Sequence, residues 1–420
     1  MICSCRIMES FEILCGIAAV LLAVYYYFTS TFDFWKSRGI RGPQPIPIFG
    51  NFKDVMLNKK ATGDYLMEIY NKYKDESMIG IFARKTPVLI VKNPEFIKDI
   101  LIKDFIKFAD RGIPISEKVD PLSQHLFALE SKRWRPLRVK LSPAFTSGKL
   151  KEMFSLISEC AEHLEQYIEK LVLSEARCFR SRTLRSPKGI YTNSYSPNGV
   201  VMAVLQMTES LIASQAFVFF LAGFETSSTT MSNTLYELAL NQEIQDKLRE
   251  EIDEEYTKHG SNLTYENVKK MNYLDKVFKE TLRKYPPATF LMRQSTSSYT
   301  FDGITLNIPK DQKVWIPVFA IHRDPDIYPK PDVFDPERFT DEAVQARHAM
   351  HYLPFGDGPR NCIGARFAVY QTKIGLIRIL RNYKVETCDK TQIPYVIDPK
   401  AFLLAPKGGI YLKIIKINQA

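Results

Sequence analysis

The sequence predicts a mainly helical protein with small β-sheets, which follows a single membrane-spanning helix at the N-terminus. Three observations support this prediction. Most long stretches repeat apolar residues at helical spacing, and only a few short stretches have the apolar, β-branched character of strands. The N-terminal apolar run is uncharged over nearly the length of a bilayer-spanning helix. Because 45% of the 420 residues are hydrophobic, the chain can bury a large core.

The N-terminus has the composition of a membrane anchor. Residues 13–28 carry no charge and, with their flanks, reach the lower end of the roughly 17–25 residues that span a bilayer. Tyrosines at positions 25–27 suit a membrane interface, and Lys36, Arg38 and Arg41 beyond them place that side in the cytosol. A cleaved signal peptide is the alternative, but bulky aromatic residues occupy the place of its small-residue cleavage site.

This divides the chain into an anchor, residues 1–35, and a folded domain, residues 36–420. Alternate prolines within residues 42–50 stiffen the start of the domain. They predict an extended rod that holds the domain in a fixed pose on the membrane. A simple linker is the alternative.

Apolar spacing and helix-breaking residues locate the elements of the domain. The helix that precedes Pro286 and Pro287 ends there because a proline disfavours helical geometry at the residue before it. Helices are predicted over residues 61–74, 94–105, 132–140, 149–173, 208–241, 264–285 and 366–383. Strands are predicted over residues 87–91 and 314–319, and irregular chain over residues 110–120 and 324–339.

Charge and cysteine content narrow the class of protein. The net charge is +10, from 57 basic and 47 acidic side chains, which favours an acidic partner or a membrane surface. There is no basic stripe with interleaved aromatic residues, which argues against nucleic acid. The seven cysteines form no CxxC pair and no regular framework, which favours a reducing, cytosol-facing environment.

The most specific motif is FGDGPRNCIG, residues 355–364. Two glycines and a proline before Cys362 predict a tight turn that points backbone N–H groups at the sulfur. Those groups and the helix that follows would stabilise a thiolate. A buried cysteine near glycines is usually inert, but the whole string resembles the haem-binding signature of cytochromes P450.

That resemblance implies the cytochrome P450 fold, with Cys362 as the thiolate ligand of the iron of haem b. A thiolate ligand donates electron density that favours cleavage of the O–O bond. Phe355, Gly356 and Gly364 would belong to the loop that holds the haem. The family also implies O2 as co-substrate and electrons from NADPH through a reductase.

Two further segments, ETLR at residues 280–283 and PERF at residues 336–339, resemble a pair of motifs that occur together in the same family. Glu280 and Arg283 share a helix face, which in isolation indicates an exposed pair worth less than about 1 kcal/mol. The later segment PERF contains Arg338. The resemblance implies that Glu280, Arg283 and Arg338 form a buried structural network behind the haem.

An acid and a hydroxyl stand together inside the long apolar helix, in the segment AGFET. The alternative for Thr226 is a hydrogen bond to the carbonyl one turn earlier. The segment resembles the family's oxygen-binding helix, which implies that Ala222 and Gly223 leave room for dioxygen. Thr226 and Glu225 would then be catalytic, through hydrogen bonding to dioxygen and delivery of protons.

Other residues match family positions less specifically. Trp134, Arg138, Arg293 and Arg360 match contacts to the haem propionates, because guanidinium groups suit carboxylates. The basic residues beside Trp134 would dock an acidic reductase flavodomain, and cytochrome b5 is a further implied partner; a solvated charged face is the alternative. These basic residues are Lys132, Arg133, Arg135 and Lys140. The apolar or small positions that would face a lipophilic substrate, or equally belong to the core, are Phe220, Phe224, Ala288, Thr289, Leu291, Phe402 and Leu403.

The resemblance, closest to insect microsomal enzymes of the detoxification type, covers residues 36–172 and 208–420. Between these blocks the family has several more helices, two of which roof the substrate pocket, and this chain has only residues 173–207. Residues 176–208 contain five basic and no acidic side chains. We interpret the stretch as the product of an incorrect exon join or reading frame, with a disordered linker as the alternative. We therefore expect a chain that is unstable or poorly active.

Three functions follow in order of preference. The first is a haem-thiolate monooxygenase of lipophilic small molecules, anchored once in the endoplasmic reticulum membrane with its domain in the cytosol. The second is a non-catalytic protein that binds haem or a hydrophobic ligand. The third is a membrane-tethered interaction protein without haem.

Overall fold

The structure, a computed structural model, describes residues 2–173, 179–180, 208–260 and 263–417. In these ranges it contains thirteen α-helices, nine strands and several short 3-10 turns. The helices are α1 (Ile2–Thr29), α2 (Lys53–Met56), α3 (Thr62–Lys72), α4 (Pro94–Lys98), α5 (Ser131–Leu141), α6 (Ser147–Leu173), α7 (Glu209–Leu240), α8 (Gln242–His259), α9 (Tyr265–Lys270), α10 (Asn272–Lys284), α11 (Val318–Ile321), α12 (Asp341–Gln345) and α13 (Ala365–Asn382). The strands are β1 (Met78–Ala83), β2 (Thr86–Val91), β3 (Phe179–Arg180), β4 (Leu291–Gln294), β5 (Tyr299–Thr300), β6 (Asn307–Ile308), β7 (Lys313–Ile316), β8 (Tyr383–Glu386) and β9 (Tyr411–Lys416).

Two helices in the described ranges are long and apolar enough to cross a membrane. Within α1, Phe11–Thr29 has a mean hydropathy of 1.9 and no buried residue, as a membrane anchor requires. The second, α7, has a mean hydropathy of only 1.2, and its C-terminal half is buried in the protein core. The candidate membrane span is therefore α1, whereas α7 belongs to the core of the domain.

The largest sheet has the strand order β1-β2-β7-β4. The β1–β2 hairpin is antiparallel, with Ala83 opposite Thr86, and β2 is parallel to β7. β4 is antiparallel to β7 and places Arg293 opposite Val314. The central residues of this sheet are buried, and Arg293 on β4 is buried with them.

The helical core is built around α7, α10 and α13. Its buried members include Leu238 on α7, Leu274 on α10 and Leu376 on α13, all fully inaccessible to solvent. At the start of α7, the side chain of Thr208 accepts a hydrogen bond from the N–H of Leu211 and so caps the helix. The cap at its start and the core packing of its second half together fix α7, which carries Glu225 and Thr226.

Several sequence expectations need correction. The helix expected over residues 264–285 is two helices, because the extended backbone of Met271 separates α9 from α10. The strand expected over residues 314–319 ends at Ile316, since Pro317 precedes the short helix α11. The expected rod over residues 42–50 is wrong in its second half, where Ile46 and Gly50 exchange two backbone hydrogen bonds across a reversal of the chain.

Several of the described elements and one bond were not predicted. The helix α8 and the strand β1 are absent from the sequence-based assignment, although α8 buries Leu248, Ile252 and Tyr256 at four-residue spacing. The cysteine spacing predicted no disulfide, but Cys388 is disulfide-bonded. Cys15, Cys160 and Cys362 are free thiols.

Candidate active site

A tight loop leads from Leu353 to Cys362 and then into α13. The N–H of Gly356 donates to the carbonyl of Leu353 at 3.1 Å, and the N–H of Cys362 donates to the carbonyl of Phe355 at 2.9 Å. Gly358 has a φ of +72°, and a Cβ atom there would overlap the carbonyl oxygen of Leu101. The loop therefore requires glycine at this position both for its backbone angle and for space.

The sulfur of Cys362 lies in a recess. Its side chain is exposed to solvent, but enough protein surrounds it that burial raises the pKa of the thiol. The N–H of Gly364 and the guanidinium groups of Arg138 and Arg111 act against burial and lower that pKa. These are the groups that would stabilise a thiolate once a metal ion removes the proton.

Arg138 on α5 supports the loop directly. Its Nη1 donates to the carbonyl of Asn361 and its Nη2 to Oδ1 of the same residue, both at 2.9 Å. Burial lowers the pKa of Arg138, and the neighbouring Cys362 raises it. The side chain predicted to contact a propionate therefore also holds the residue that precedes the sulfur.

Arg293 and Arg360 are buried cations with unused donors. Each is 2% exposed. Arg360 stacks 4.5 Å above the ring of buried Trp134 and donates from Nη2 to Leu129, while its Nε and Nη1 have no partner among the described residues. Arg293 donates from Nη1 to the carbonyl of Met292 at 2.8 Å, and its Nε has no partner in the same part of the chain.

These charges also act on one another. Burial, with repulsion from Arg360, lowers the pKa of Arg293 to about 9. Burial lowers the pKa of Arg360 to about 10, with Asp110 and Glu130 acting in the opposite direction. Buried donors without partners are costly, and a ligand with carboxylates would both pair with them and offset the repulsion.

Arg111 is a member of this group that the sequence analysis missed. Its Nη1 donates to Phe127 at 2.7 Å and its Nη2 to the carbonyl of Arg360 at 3.1 Å. Burial lowers its pKa well below the ordinary value, with repulsion from Arg293 and Arg360 as further causes. The residue stands in an irregular loop outside any recognised motif, so the sequence gives no signal for it.

The predicted network of Glu280, Arg283 and Arg338 is formed. Arg283 donates to both carboxylate oxygens of Glu280, at 2.6 and 2.8 Å, and both side chains are inaccessible to solvent. Arg338 lies 3.5 Å from Glu280, and the N–H of Asp335 donates to the same oxygen at 2.9 Å. Burial raises the pKa of Glu280. Arg283 also donates to the carbonyl of His322 at 2.9 Å, so the network ties α10 to the chain after α11.

In the middle of α7, Thr226 makes the hydrogen bond to the preceding turn that the sequence analysis gave as the alternative to a catalytic role. The hydroxyl of Thr226 donates to the carbonyl of Ala222 one turn earlier, at 2.6 Å. A Cβ atom on Gly223 would meet nothing within 4 Å. The start of α7 is fixed by Gln215, whose side chain bonds the N–H of Leu126 at 2.8 Å and the carbonyl of Gln124 at 2.9 Å.

Comparison with known proteins identifies this arrangement. The sequence profile described as cytochrome P450 matches residues 40–186 and 201–413. The chain belongs to the cytochrome P450 family. It is 36% identical to cytochrome P450 6B1 of Papilio polyxenes, over 94% of this chain and 97% of that protein. It is 35% identical to cytochrome P450 6j1 of Blattella germanica, over 95% and 96%, and to probable cytochrome P450 6a14 of Drosophila melanogaster, over 96% and 99%.

Family membership confirms the expected fold class and makes the chain a monooxygenase that uses haem iron and O2. The residues present fit haem. A thiol faces the recess at Cys362, and the unpartnered donors of Arg293 and Arg360 are available to the two propionates of such a group.

The alignments with relatives are longer than this P450 itself. The match to the Papilio polyxenes protein extends over 485 positions, whereas the chain has 420 residues. At least 65 aligned positions of that relative therefore have no counterpart here. The profile match is interrupted at residues 187–200, which lie outside the described residues. They belong to the segment predicted to be aberrant, residues 173–207, of which the structure describes only residues 173, 179 and 180.

The predicted substrate-facing positions lie in different environments. Phe220 and Phe224 stack on α7 with parallel rings 5.9 Å apart, and Phe220 is 54% exposed. Thr289 is buried beside Gly63, and Leu291 lies near Gly356 in the cysteine loop. The half-buried positions are Phe224, Ala288, Leu291 and Leu403. Phe402 is 76% exposed.

One member of the basic cluster on α5 is already paired within the protein. Lys132 and Arg135 are exposed, whereas Arg133 forms an ion pair with Glu117 and donates to Gln124 at 2.8 Å. Lys132 and Arg135 are therefore the cluster members that the structure leaves most accessible to an acidic protein.

Proposed function

We propose that this P450 inserts one oxygen atom of O2 into lipophilic small molecules, xenobiotic or endogenous, with electrons from NADPH delivered by cytochrome P450 reductase. The observation that carries the proposal is the pairing of an accessible thiol with buried, unpartnered guanidinium donors around one recess. Haem, when bound, supplies the iron at which O2 is reduced and the substrate is oxidised.

In this proposal Cys362 is the iron ligand, and hydrogen bonds within the protein hold its loop in position. The hydrogen bond from the N–H of Cys362 to Phe355 and the fork from Arg138 to Asn361 hold the sulfur in place. Arg293 and Arg360 would bind the propionates, with Trp134 supporting the Arg360 guanidinium through its ring.

Proton delivery falls to α7. The hydroxyl of Thr226 donates its hydrogen to the carbonyl of Ala222. Its oxygen keeps lone pairs, so it can also accept a hydrogen bond from a proton donor in the recess. Glu225 is the adjacent acid, and it has interactions of its own in the structure. An acid next to an alcohol can pass protons into a site that excludes bulk water.

The membrane assignment follows from α1. A single span over Phe11–Thr29 would leave the domain on the cytosolic side of the endoplasmic reticulum. Lys132 and Arg135 would then meet the acidic surface of the reductase, or of cytochrome b5, in the cytosol.

The second candidate is a non-catalytic protein that binds haem or a hydrophobic ligand. It is favoured by the aligned positions of relatives that have no counterpart in this chain. On this view residues 173–207 replace helices that cover the substrate, and Phe217, Phe220 and Leu221 on α7, which are 43%, 54% and 47% exposed, belong to the face that those helices cover. Turnover would suffer while the cysteine loop still holds haem.

The test uses the full chain expressed in membranes, with carbon-monoxide difference spectra of the reduced protein and NADPH-driven turnover of a lipophilic probe by added reductase. Monooxygenase function predicts a thiolate-type Soret band together with turnover. The band without turnover supports the second candidate, and no haem in a folded chain overturns both the monooxygenase function and the haem-binding form of the second candidate.

A cysteine pair provides the matched control. Cys362→Ala is expected to abolish the thiolate-type band, whereas Cys160→Ala, at a half-buried free thiol on α6, is expected to retain it. A normal band in the Cys362→Ala protein would refute the assignment of the ligand.

A further inference from the structure

The long helix α7 enters the protein core at Ser227. None of residues 216–226 is buried, whereas Ser227 is 2% exposed and most of the residues that follow it in α7 are buried. Thr226 is therefore the last residue of the partly exposed stretch. Whatever holds Ser227 in place also determines where Thr226 lies.

The hydroxyl of Ser227 leaves its own helix. The neighbouring hydroxyls of Thr226, Ser228 and Thr230 all donate to carbonyls of α7, at 2.6, 3.2 and 2.8 Å, which is the usual behaviour inside a helix. Ser227 instead donates to Oε1 of Gln371 on α13, at 3.2 Å. A buried hydroxyl that bypasses the local carbonyl marks a specific contact between the two helices.

A second contact joins the same helices one turn further on. A Cβ atom on Gly375 of α13 would lie 2.6 Å from the Sδ atom of Met231 on α7. Gly375 is buried, and Met231 is 8% exposed. The absence of a side chain at Gly375 thus allows α7 and α13 to approach closely.

The two contacts stand in register. Met231 lies four residues after Ser227, and Gly375 lies four residues after Gln371. Each step is about 6 Å along its helix and stays on one face of it. One contact alone would allow α7 to pivot on α13. Two contacts at matched spacing fix both the separation of the helices and their relative slide.

The helix α13 also holds the cysteine. Its first residue follows Gly364, whose backbone N–H donates to the sulfur of Cys362. The N–H of Ala368 donates to the carbonyl of Gly364 at 2.9 Å, so the hydrogen-bonded helix starts at the residue that meets the sulfur. Because the helix is hydrogen-bonded throughout, Gln371 occupies a fixed place relative to that sulfur.

We propose that Ser227 and Gln371 are positioning residues, whose hydrogen bond sets the place of Thr226 relative to the sulfur of Cys362. The inference rests on the proposed haem binding at Cys362 and the proposed role of Thr226 in proton delivery. It adds that a contact between α7 and α13 controls this geometry. Since a misplacement of about 1 Å can cost about 10²-fold in rate, loss of the bond is expected to lower kcat by about tenfold and leave KM unchanged.

The experiment measures the C–O stretching band of carbon monoxide bound to the reduced full chain. This band reports the surroundings of the bound molecule and requires no turnover. Ser227→Ala removes one oxygen atom and is expected to shift or broaden the band while the thiolate-type Soret band is kept. Gln371→Leu is expected to give the same change from the side of α13, so the test does not depend on one variant. Urea unfolding of the same proteins measures their stability.

Three further variants isolate the hydrogen bond. Ser228→Ala makes the same change at the adjacent serine, whose hydroxyl bonds within α7, and is expected to leave the C–O band unchanged. Gln371→Glu keeps an oxygen that accepts from Ser227 and is expected to retain the wild-type band. Gln371 makes other interactions as well, so Gln371→Leu is also combined with Ser227→Ala. If the shared bond is the cause, the double variant shifts the band no further than Gln371→Leu alone.

The outcomes separate this inference from the proposed function. A Ser227→Ala protein that loses stability but keeps the wild-type C–O band shows a merely structural bond and overturns the inference alone. An equal shift in Ser228→Ala, or shifts that add in the double variant, also overturn it. A wild-type chain that folds without haem overturns the proposed function and, with it, this inference.

Discussion

Acid is expected to destabilise this protein through one buried histidine. His322 is inaccessible to solvent, and its Nε2 accepts the N–H of Leu353 at 2.9 Å. Its ring lies 5.4 Å from that of Tyr352 in a stacked arrangement, and Arg283 donates to its carbonyl. A protonated imidazole could not accept the bond from Leu353, where the cysteine loop begins.

The magnitude follows from the pKa. Burial, with repulsion from Arg283, lowers the pKa of His322 from its ordinary 6.5 to about 3. As the pH falls below 6.5 the unfolded chain takes up a proton at this position and the folded chain does not. The stabilisation is therefore complete above pH 6.5 and is lost progressively down to about pH 3. At pH 5 the expected loss is about 2 kcal/mol, against a typical total of about 5–15 kcal/mol.

Urea unfolding of the detergent-solubilised chain at about pH 7.5 and pH 5 measures this loss. His322→Gln keeps an acceptor but cannot be charged, so its free energy of unfolding should fall by about 2 kcal/mol less than that of the wild type over this interval. His163→Gln, at an exposed position on α6, should follow the wild type. Parallel pH profiles for wild type and His322→Gln would refute the argument.

Three further substitutions test the site. Arg283→Met leaves Glu280 buried with a poorer partner and should cost about 3–5 kcal/mol in urea unfolding; a loss below about 1 kcal/mol would contradict the buried network. Gly358→Ala should abolish the thiolate-type band because its Cβ atom overlaps a backbone carbonyl, whereas Gly303→Ala, at a φ of +80° in open space, should only lower stability by about 1–2 kcal/mol. Thr226→Val should keep the carbon-monoxide spectrum and lower NADPH-driven turnover by about 10²-fold or more; unchanged turnover would exclude Thr226 from catalysis.

Local signals account for what the sequence predicted well. The apolar periodicity over residues 208–241 and the break before Pro286 placed both ends of α7, and the C-terminal end of α10, within a residue or two. The glycines of the cysteine loop were predicted to be needed for their backbone angles, and Gly356 and Gly358 do have positive φ values. Each of these features depends only on residues close together in the chain.

The features that escaped prediction depend on distant partners. Arg111 joins the site through the carbonyl of Arg360, which lies 249 positions away. The turn at Lys85 meets Thr31 across 54 positions. The rod expected over residues 42–50 folds back because its second half pairs with itself and adjoins β1. Stiffness of the chain alone gave no indication of these contacts.

The arrangement of charge around Cys362 favours the loaded protein over the empty chain. In addition to burial, Arg293 and Arg360 lower the pKa of Arg111, and Arg360 lowers that of Arg293; Arg293 and Arg360 also leave buried donors without partners in the described ranges. Every one of these costs falls when two carboxylates enter, because opposite charge offsets the repulsion and the donors gain acceptors. Binding of haem to the folded state alone then adds to stability by mass action. The cationic cluster thus makes the stability of the folded chain depend on its cofactor.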